Sequence, residues 1–254
     1  MPRFAANLTF LFGEHPFLER FAAARAAGFT RVEYMFPYDY AAADLRARLD
    51  DHGLEQVLFN LPAGDWGAGD RGIAADPSRV AEFRDGVEQA RVYAAALDVP
   101  RLNCLAGTRG DRATLVANLR HAARALAQDG RTLLVEAVNT RDIPGFLVPT
   151  NTEAADLLDE VGEPNLRLQF DLYHAHVMNE DLVERLRALL DRIDHVQLAD
   201  DPGRHQPGTG DIDFAFVLSE LDAMGYQGAV GLEYVPEPDT LASLEWLQRY
   251  GVEA

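Results

Sequence analysis

TLLVEAVNTRDIPGFLVPTNTEAADLLDEVGEPNLRLQFD, residues 132–171, is the stretch from which the fold is read. Thr132–Ala137 is a short apolar run of strand length. A helix opens at Thr150, with Glu153 three residues on in the capping-box pattern. Arg167–Asp171 is a second apolar strand. Strands that alternate with helices pair in parallel, because the helix carries the chain back to the same starting edge.

The alternation extends in both directions. Upstream, strands are expected at Phe4–Leu8, Arg31–Phe36, Glu55–Asn60 and Arg101–Leu105, with helices at Pro16–Ala27, Ala42–Asp51, Ser78–Leu97 and Arg112–Gln128. Pro16 suits a first helical turn, and Gly28 and Gly53 suit the left-handed stop. Downstream follow a helix near Asp181–Arg192, a strand at His195–Leu198, a helix at Phe214–Met224, a strand at Ala229–Glu233 and a last helix over Leu241–Tyr250. Eight strands alternating with eight helices predict one (β/α)8 TIM barrel over residues 1–254, and such barrels typically take about 250 residues. A doubly wound open sheet would carry a Gly-rich nucleotide turn after its first strand, and Thr9–Gly13 lacks one.

Composition narrows the chemistry. With 41 acidic and 23 basic residues the net charge is −18, which repels duplex nucleic acid and anionic membranes, so neither is expected as a partner. An anionic substrate would need a local cationic patch. The chain has no lysine, so Schiff-base chemistry through a lysine amine is excluded. The single cysteine, Cys104, sits in an apolar strand and is read as a buried spectator in a reducing, cytoplasmic setting. The N-terminal apolar run is broken by Asn7 and followed by Gly13-Glu14, unlike a signal peptide. No run approaches 18 apolar residues, so no membrane span is expected. A homo-oligomer is compatible with the sequence, which fixes no oligomeric state.

In a (β/α)8 barrel the active site lies at the C-terminal ends of the strands. Asn7, Glu33, Asn60, Glu136, Asp171, Gln197 and Glu233 are the polar residues at or near those ends. Glu136, Asp171, Gln197 and Glu233 belong to four successive strands and converge on one narrow mouth. Three uncompensated carboxylates there would repel one another, and a divalent cation resolves the repulsion. All four donors are oxygens, which favours Mg²⁺ or Mn²⁺ over Zn²⁺.

Taken together, MPRFAANL (1–8), FLERFAAAR (17–25), VEYMFPY (32–38), LVEA (134–137), QFDLYHA (169–175), HVQLA (195–199), Arg204-His205, YQG (226–228) and GLEY (231–234) resemble the hydroxypyruvate isomerase family of the xylose isomerase-like TIM barrels. The resemblance covers nearly the whole chain. It implies metal ligation by Glu136, Asp171, Gln197 and Glu233, the residues already singled out at the strand ends. It also implies acid–base catalysis by Glu136 and Glu233, and substrate contacts from His174 and Arg204. Many relatives carry histidine where this chain has Gln197.

These residues imply isomerisation of hydroxypyruvate to tartronate semialdehyde through an enediolate. One glutamate would remove a carbon-bound proton and the other return it at the neighbouring carbon. Arg204 is expected to take the substrate carboxylate through two hydrogen bonds, with His174 adding a donor. Asn60 and Trp66 complete the expected substrate contacts. Trp66 lies in the Gly-rich stretch Leu61–Asp76, which is expected to be a loop able to close over the substrate. His15, His52, His121, His176 and His205 are read as structural. The loop Tyr234–Asp239 has no glycine and two acids, which disfavours a phosphorylated substrate. Rival readings are a 2-oxo-tetronate isomerase or ketose 3-epimerase on the same scaffold and, more remotely, a metal-dependent endonuclease or a non-catalytic sugar-binding barrel.

Overall fold

All eight expected strands form, and each pairs in parallel with its chain neighbour: β1 (Arg3–Asn7), β2 (Arg31–Glu33), β3 (Glu55–Asn60), β4 (Arg101–Cys104), β5 (Thr132–Glu136), β6 (Leu166–Asp171), β7 (Ile193–Leu198) and β8 (Ala229–Leu232). β8 returns to β1 through Phe4↔Val230 and Ala5↔Gly231, which closes the barrel. The computed structural model describes residues 3–249. β8 is buried throughout and β3, β5 and β6 nearly so, as expected for parallel strands covered by helices on one side and packed into a barrel on the other.

The covering helices are α1 (Arg20–Ala26), α2 (Ala42–His52), α3 (Val80–Leu97), α4 (Arg112–Gln128), α5 (Asn151–Val161), α6 (Leu172–Val177), α7 (Leu182–Leu189), α8 (Phe214–Ala223), α9 (Thr240–Ser243) and α10 (Trp246–Arg249). On α4, Leu115, Leu119, Ala122 and Leu126 recur at three- and four-residue spacing and are buried against the barrel. Thr150 caps α5 by accepting from the Glu153 N–H at 3.3 Å, half of the expected capping box. Gly53 and Gly162 end α2 and α5 at positive φ, 60° and 73°.

Several boundaries differ from expectation for local reasons. β2 stops at Glu33, not Phe36. Its register shifts between Val32 and Glu33, and the Met35 N–H leaves the ladder for Thr9 Oγ1 at 2.8 Å. The first helix opens as a 3₁₀ turn at Phe17–Glu19, and the helix after β6 ends as another at Leu190–Arg192. The expected last helix is two short ones, α9 and α10, and its expected end, Tyr250, lies outside the described residues. Sequence reading did not foresee α6, which begins directly on β6 with Asp171 as its N-cap. No helix among the described residues is long and apolar enough to cross a membrane.

Candidate active site

β5 ends on Glu136, β6 ends on Asp171, and Glu233 follows β8 at once. Because α6 starts on the residue after Asp171, its first turn carries His174 back over the same strand ends. One ligand-capable atom from each of Glu136, Asp171, His174 and Glu233 lies within 4.8 Å of the others, and all four residues are buried. Asp171 Oδ1 accepts from the N–H groups of Tyr173 (2.7 Å) and His174 (3.3 Å). Its Oδ2 is buried with no hydrogen-bond partner among the described residues. Glu136 Oε2 accepts from Asn103 Nδ2 at 3.0 Å. Glu233 Oε1 accepts from Asn7 Nδ2 at 3.2 Å, and Glu233 Oε2 accepts from Arg204 Nη2 at 2.6 Å.

Burial raises the Glu136 carboxyl well above the usual carboxylate range, and the neighbouring Glu233 and Asp171 add to the effect. Burial also pushes Glu233 up to about 8, while the Arg204 charge works against the shift. His174 is pulled down to about 4, chiefly by burial, and is therefore neutral at pH 7. Three buried carboxyl groups around one point, one with an orphaned oxygen and, among the described residues, one paired with Arg204, fit a hard divalent cation that takes oxygen donors.

The structure brings five of the expected residues together and leaves three beside or away from that point. Glu136, Asp171, His174, Glu233 and Arg204 form the cluster just described. Gln197 stands beside it and turns its amide nitrogen toward Glu233, with Nε2 donating to Glu33 Oε1 at 2.7 Å and to Glu233 Oε1 at 3.4 Å. Its Oε1 accepts from Gln169 Nε2 at 2.5 Å, which occupies one of two lone pairs. Arg204 is no exposed loop arginine. Its guanidinium lies 5.2 Å from both the Phe10 and Tyr173 ring centres, and its buried Nε has no hydrogen-bond partner among the described residues. Asn60 is buried at the end of β3, where its carbonyl accepts from Tyr38 Oη at 2.7 Å, and it makes no hydrogen bond to the carboxylates. Trp66 packs on Phe36 and under Arg71, whose guanidinium is 4.1 Å from the indole centre. Together with Phe36, Tyr38 and Pro62 it lines a cavity of about 440 Å³. Within Leu61–Asp76, Leu61, Ala63, Ile73, Ala74 and Ala75 are buried. The Gly72 backbone lies so close to Leu105 that any side chain there would clash.

A second polar layer lies under the carboxylates; its Asn7 and Glu33 are among the polar residues expected near strand ends, but sequence reading assigns the layer no role. Glu33 Oε1 accepts from Asn7 Nδ2 at 3.0 Å as well as from Gln197, and His195 Nε2 lies 2.7 Å from Glu33 Oε2. All four residues are buried. Gly231 makes the space, because a Cβ there would lie 2.2 Å from Glu33 Oε1. A glycine inside a strand is the signal that points to such a close approach. Above the site, Asp200 gathers five backbone N–H groups, from Asp201, Gly208, Thr209, Gly210 and Ile212, which fixes the loop bearing Arg204. Arg204 itself sits at φ 56°, an uncommon conformation for a residue with a side chain.

Comparison with known proteins agrees with this geometry. A model of the xylose isomerase-like TIM barrel family matches residues 21–250. The chain is 45% identical to a 2-oxo-tetronate isomerase of Cupriavidus necator, over 98% of this chain and 99% of that one. It is 46% identical to a hydroxypyruvate isomerase of Escherichia coli, over 98% and 100%. A solved structure from Brucella melitensis, described as an AP endonuclease of family 2, superposes with a TM-score of 0.96 at 45% identity, over 98% and 99% of the two chains.

Proposed function

The chain belongs to the xylose isomerase-like TIM barrel family and is an isomerase akin to the hydroxypyruvate and 2-oxo-tetronate isomerases; from that premise we propose that its substrate is a small 2-oxo acid with a hydroxyl on the adjacent carbon, hydroxypyruvate being the simplest. The observation that carries the reading is the pair of buried glutamates, Glu136 and Glu233, facing one point together with the orphaned oxygen of Asp171. In hydroxypyruvate one proton leaves C3 and one arrives at C2, while the hydroxyl proton passes from O3 to O2, giving tartronate semialdehyde. Two carboxyl groups facing the same point can take the carbon-bound proton and return one.

Glu136, Asp171 and Glu233 would hold one Mg²⁺- or Mn²⁺-type ion, and Gln197 would join them through its oxygen only if its amide turned over, because that oxygen accepts from Gln169 and the nitrogen faces Glu233. Such an ion supplies Lewis-acid stabilisation of negative charge developing on the two oxygens. Asn103 and Arg204 each grip one oxygen of the two glutamates and so aim the other. Arg204 spends Nη2 on Glu233 and would offer its remaining guanidinium donors to the substrate carboxylate, with the Phe10 and Tyr173 rings packed beside it. This supplies the local positive charge that a chain of net charge −18 needs to bind an anion. A cytoplasmic setting belongs to the same proposal, supported by the single buried thiol, Cys104.

An endonuclease reading is disfavoured by the charge, since phosphate backbones bind to basic surfaces. A neutral ketose substrate would leave the Arg204 donors unused. The test is proton NMR in D₂O of hydroxypyruvate, a 2-oxo-tetronate and a ketose, each incubated with the Mg²⁺-loaded protein. Exchange and interconversion of one of the acids is expected. Turnover of the ketose alone would overturn the proposal.

A further inference from the structure

His174 is one of four residues able to meet a cation at this site, and the loop after β5 decides whether it does. Asn139 is fully buried there. Its Oδ1 accepts from the Asp142 N–H at 2.8 Å, a group that can only donate. That bond fixes which end of the amide is nitrogen. The two Nδ2 hydrogens then have two destinations, Asp142 Oδ2 at 3.1 Å and His174 Nδ1 at 2.6 Å. Turning the amide over would set its N–H₂ against the Asp142 N–H and its oxygen against the Asp142 carboxylate, losing both bonds. The Asn139 backbone N–H also points at His174 Nδ1, at 3.5 Å. Nδ1 therefore presents a lone pair, and a neutral imidazole must carry its proton on Nε2.

We propose that Asn139 is a positioning residue that locks His174 in the Nε2–H form, which makes His174 a hydrogen-bond donor to the substrate and not a ligand to the cation. Nε2 lies 3.7 Å from Glu136 Oε1 and 3.8 Å from Asp171 Oδ2. Neither is within hydrogen-bond reach, so the proton faces the reaction point with no acceptor among the described residues. A nitrogen that bears a proton has no lone pair for a metal. The donor set for the cation is then oxygen only, supplied by Glu136, Asp171 and Glu233. The tautomer assignment stands whatever the substrate is. That the Nε2–H meets a substrate oxygen rests on the isomerase reading above.

The test uses the full chain labelled with ¹⁵N-histidine and long-range ¹H–¹⁵N correlation spectra, with His174→Gln to assign the signal. Spectra are recorded without metal and with excess Mg²⁺. The Nε2–H pattern is expected in both. Asn139→Asp, nearly isosteric, places a carboxylate oxygen against Nδ1 and should draw a proton onto that nitrogen. It should lower kcat/KM about 10- to 100-fold, the loss expected when one hydrogen bond to a developing charge is removed, with the loss chiefly in kcat. A wild-type His174 protonated on Nδ1, one that loses its Nε2 proton on adding Mg²⁺, or an unchanged pattern in Asn139→Asp would each overturn the proposal. The wild-type spectra decide the matter even if the variant does not fold. An Nε2–H wild type that turns over no hydroxy acid would support the tautomer and overturn the substrate reading.

Discussion

Stripping the metal should make this protein less stable as pH rises from 6.5 to 8, the reverse of a chain whose buried histidine alone sets its pH response. Burial raises Glu233 from 4.5 to about 8, so between those values the folded state holds a proton that the unfolded state has released. Stability then falls with rising pH, by about 1.4 kcal/mol per unit for one proton. His174 acts oppositely. It drops from 6.5 to about 4, so between these values the unfolded state binds the extra proton and stability rises with pH. The two effects offset one another below pH 6.5. Above it His174 is neutral in both states and only the carboxyl effect remains, roughly 2 kcal/mol by pH 8. Glu136, raised in the same direction, adds to the fall. For a chain of this size roughly 2 kcal/mol corresponds to a Tm decrease of about 4–8 °C. The assay is thermal unfolding of EDTA-treated protein across that window, repeated with Mg²⁺ and with Glu233→Gln. Both additions should flatten the profile, the ion by binding the ionised carboxylates and the amide by removing the titration. A metal-free Tm that is level or rises from pH 6.5 to 8, or a decline that survives in Glu233→Gln, would refute the reasoning.

Glu136→Gln and Glu233→Gln should each lower kcat by about 10²–10⁴-fold with the fold intact by circular dichroism, and near-normal turnover would remove that residue from the chemistry. Because Arg204 also holds Glu233, Arg204→Ala should slow every substrate. Reading of the carboxylate predicts an additional loss, on the order of 2 kcal/mol in kcat/KM, for hydroxypyruvate over a neutral ketose, and an equal loss on both would leave Arg204 as support for Glu233 alone. Gly231→Ala should destabilise by about 1–3 kcal/mol in chemical denaturation, because its Cβ would collide with Glu33, and combining it with Glu33→Ala should cost less than the two changes summed.

The strand order and the three site carboxylates were legible because both follow from where strands end. β3 and α4 match their expected bounds to the residue, and Glu136 and Asp171 are the last residues of their strands. The layer beneath was not legible. Strands buried on both faces show no alternation of apolar and polar residues, so nothing in the sequence says whether Glu33, Gln169 or His195 points into the barrel or toward the helices. Register shifts at Val32/Glu33 and Leu168/Gln169 disturb the simple two-residue count as well. Asn139 and Asp200 are set in place by the backbone N–H groups of their loops, and loop conformation leaves no periodic trace. The expected Gln197 ligand came from position and resemblance alone, and the structure adds that Glu33 decides which way its amide faces.

That arrangement explains how buried carboxylates stay aimed with Arg204 as the one cationic side chain paired with them among the described residues. Asp171 is held by Oδ1 through the first N–H groups of α6, Glu136 by Oε2 through Asn103, and Glu233 by its short bond from Arg204 to Oε2. Each carboxylate thus has one oxygen gripped firmly. The other oxygen is partnerless on Asp171, and on Glu233 only the longer contacts of 3.2 and 3.4 Å reach it. Fixing one oxygen aims the other, so the donors are ordered before an ion or substrate arrives and little reorganisation is left for the reaction itself. The same order holds like charges together in a buried site, which folding alone does not favour. The decline in stability above pH 6.5 is the measurable form of that conflict, and its disappearance when a cation binds would show that site and ion were matched.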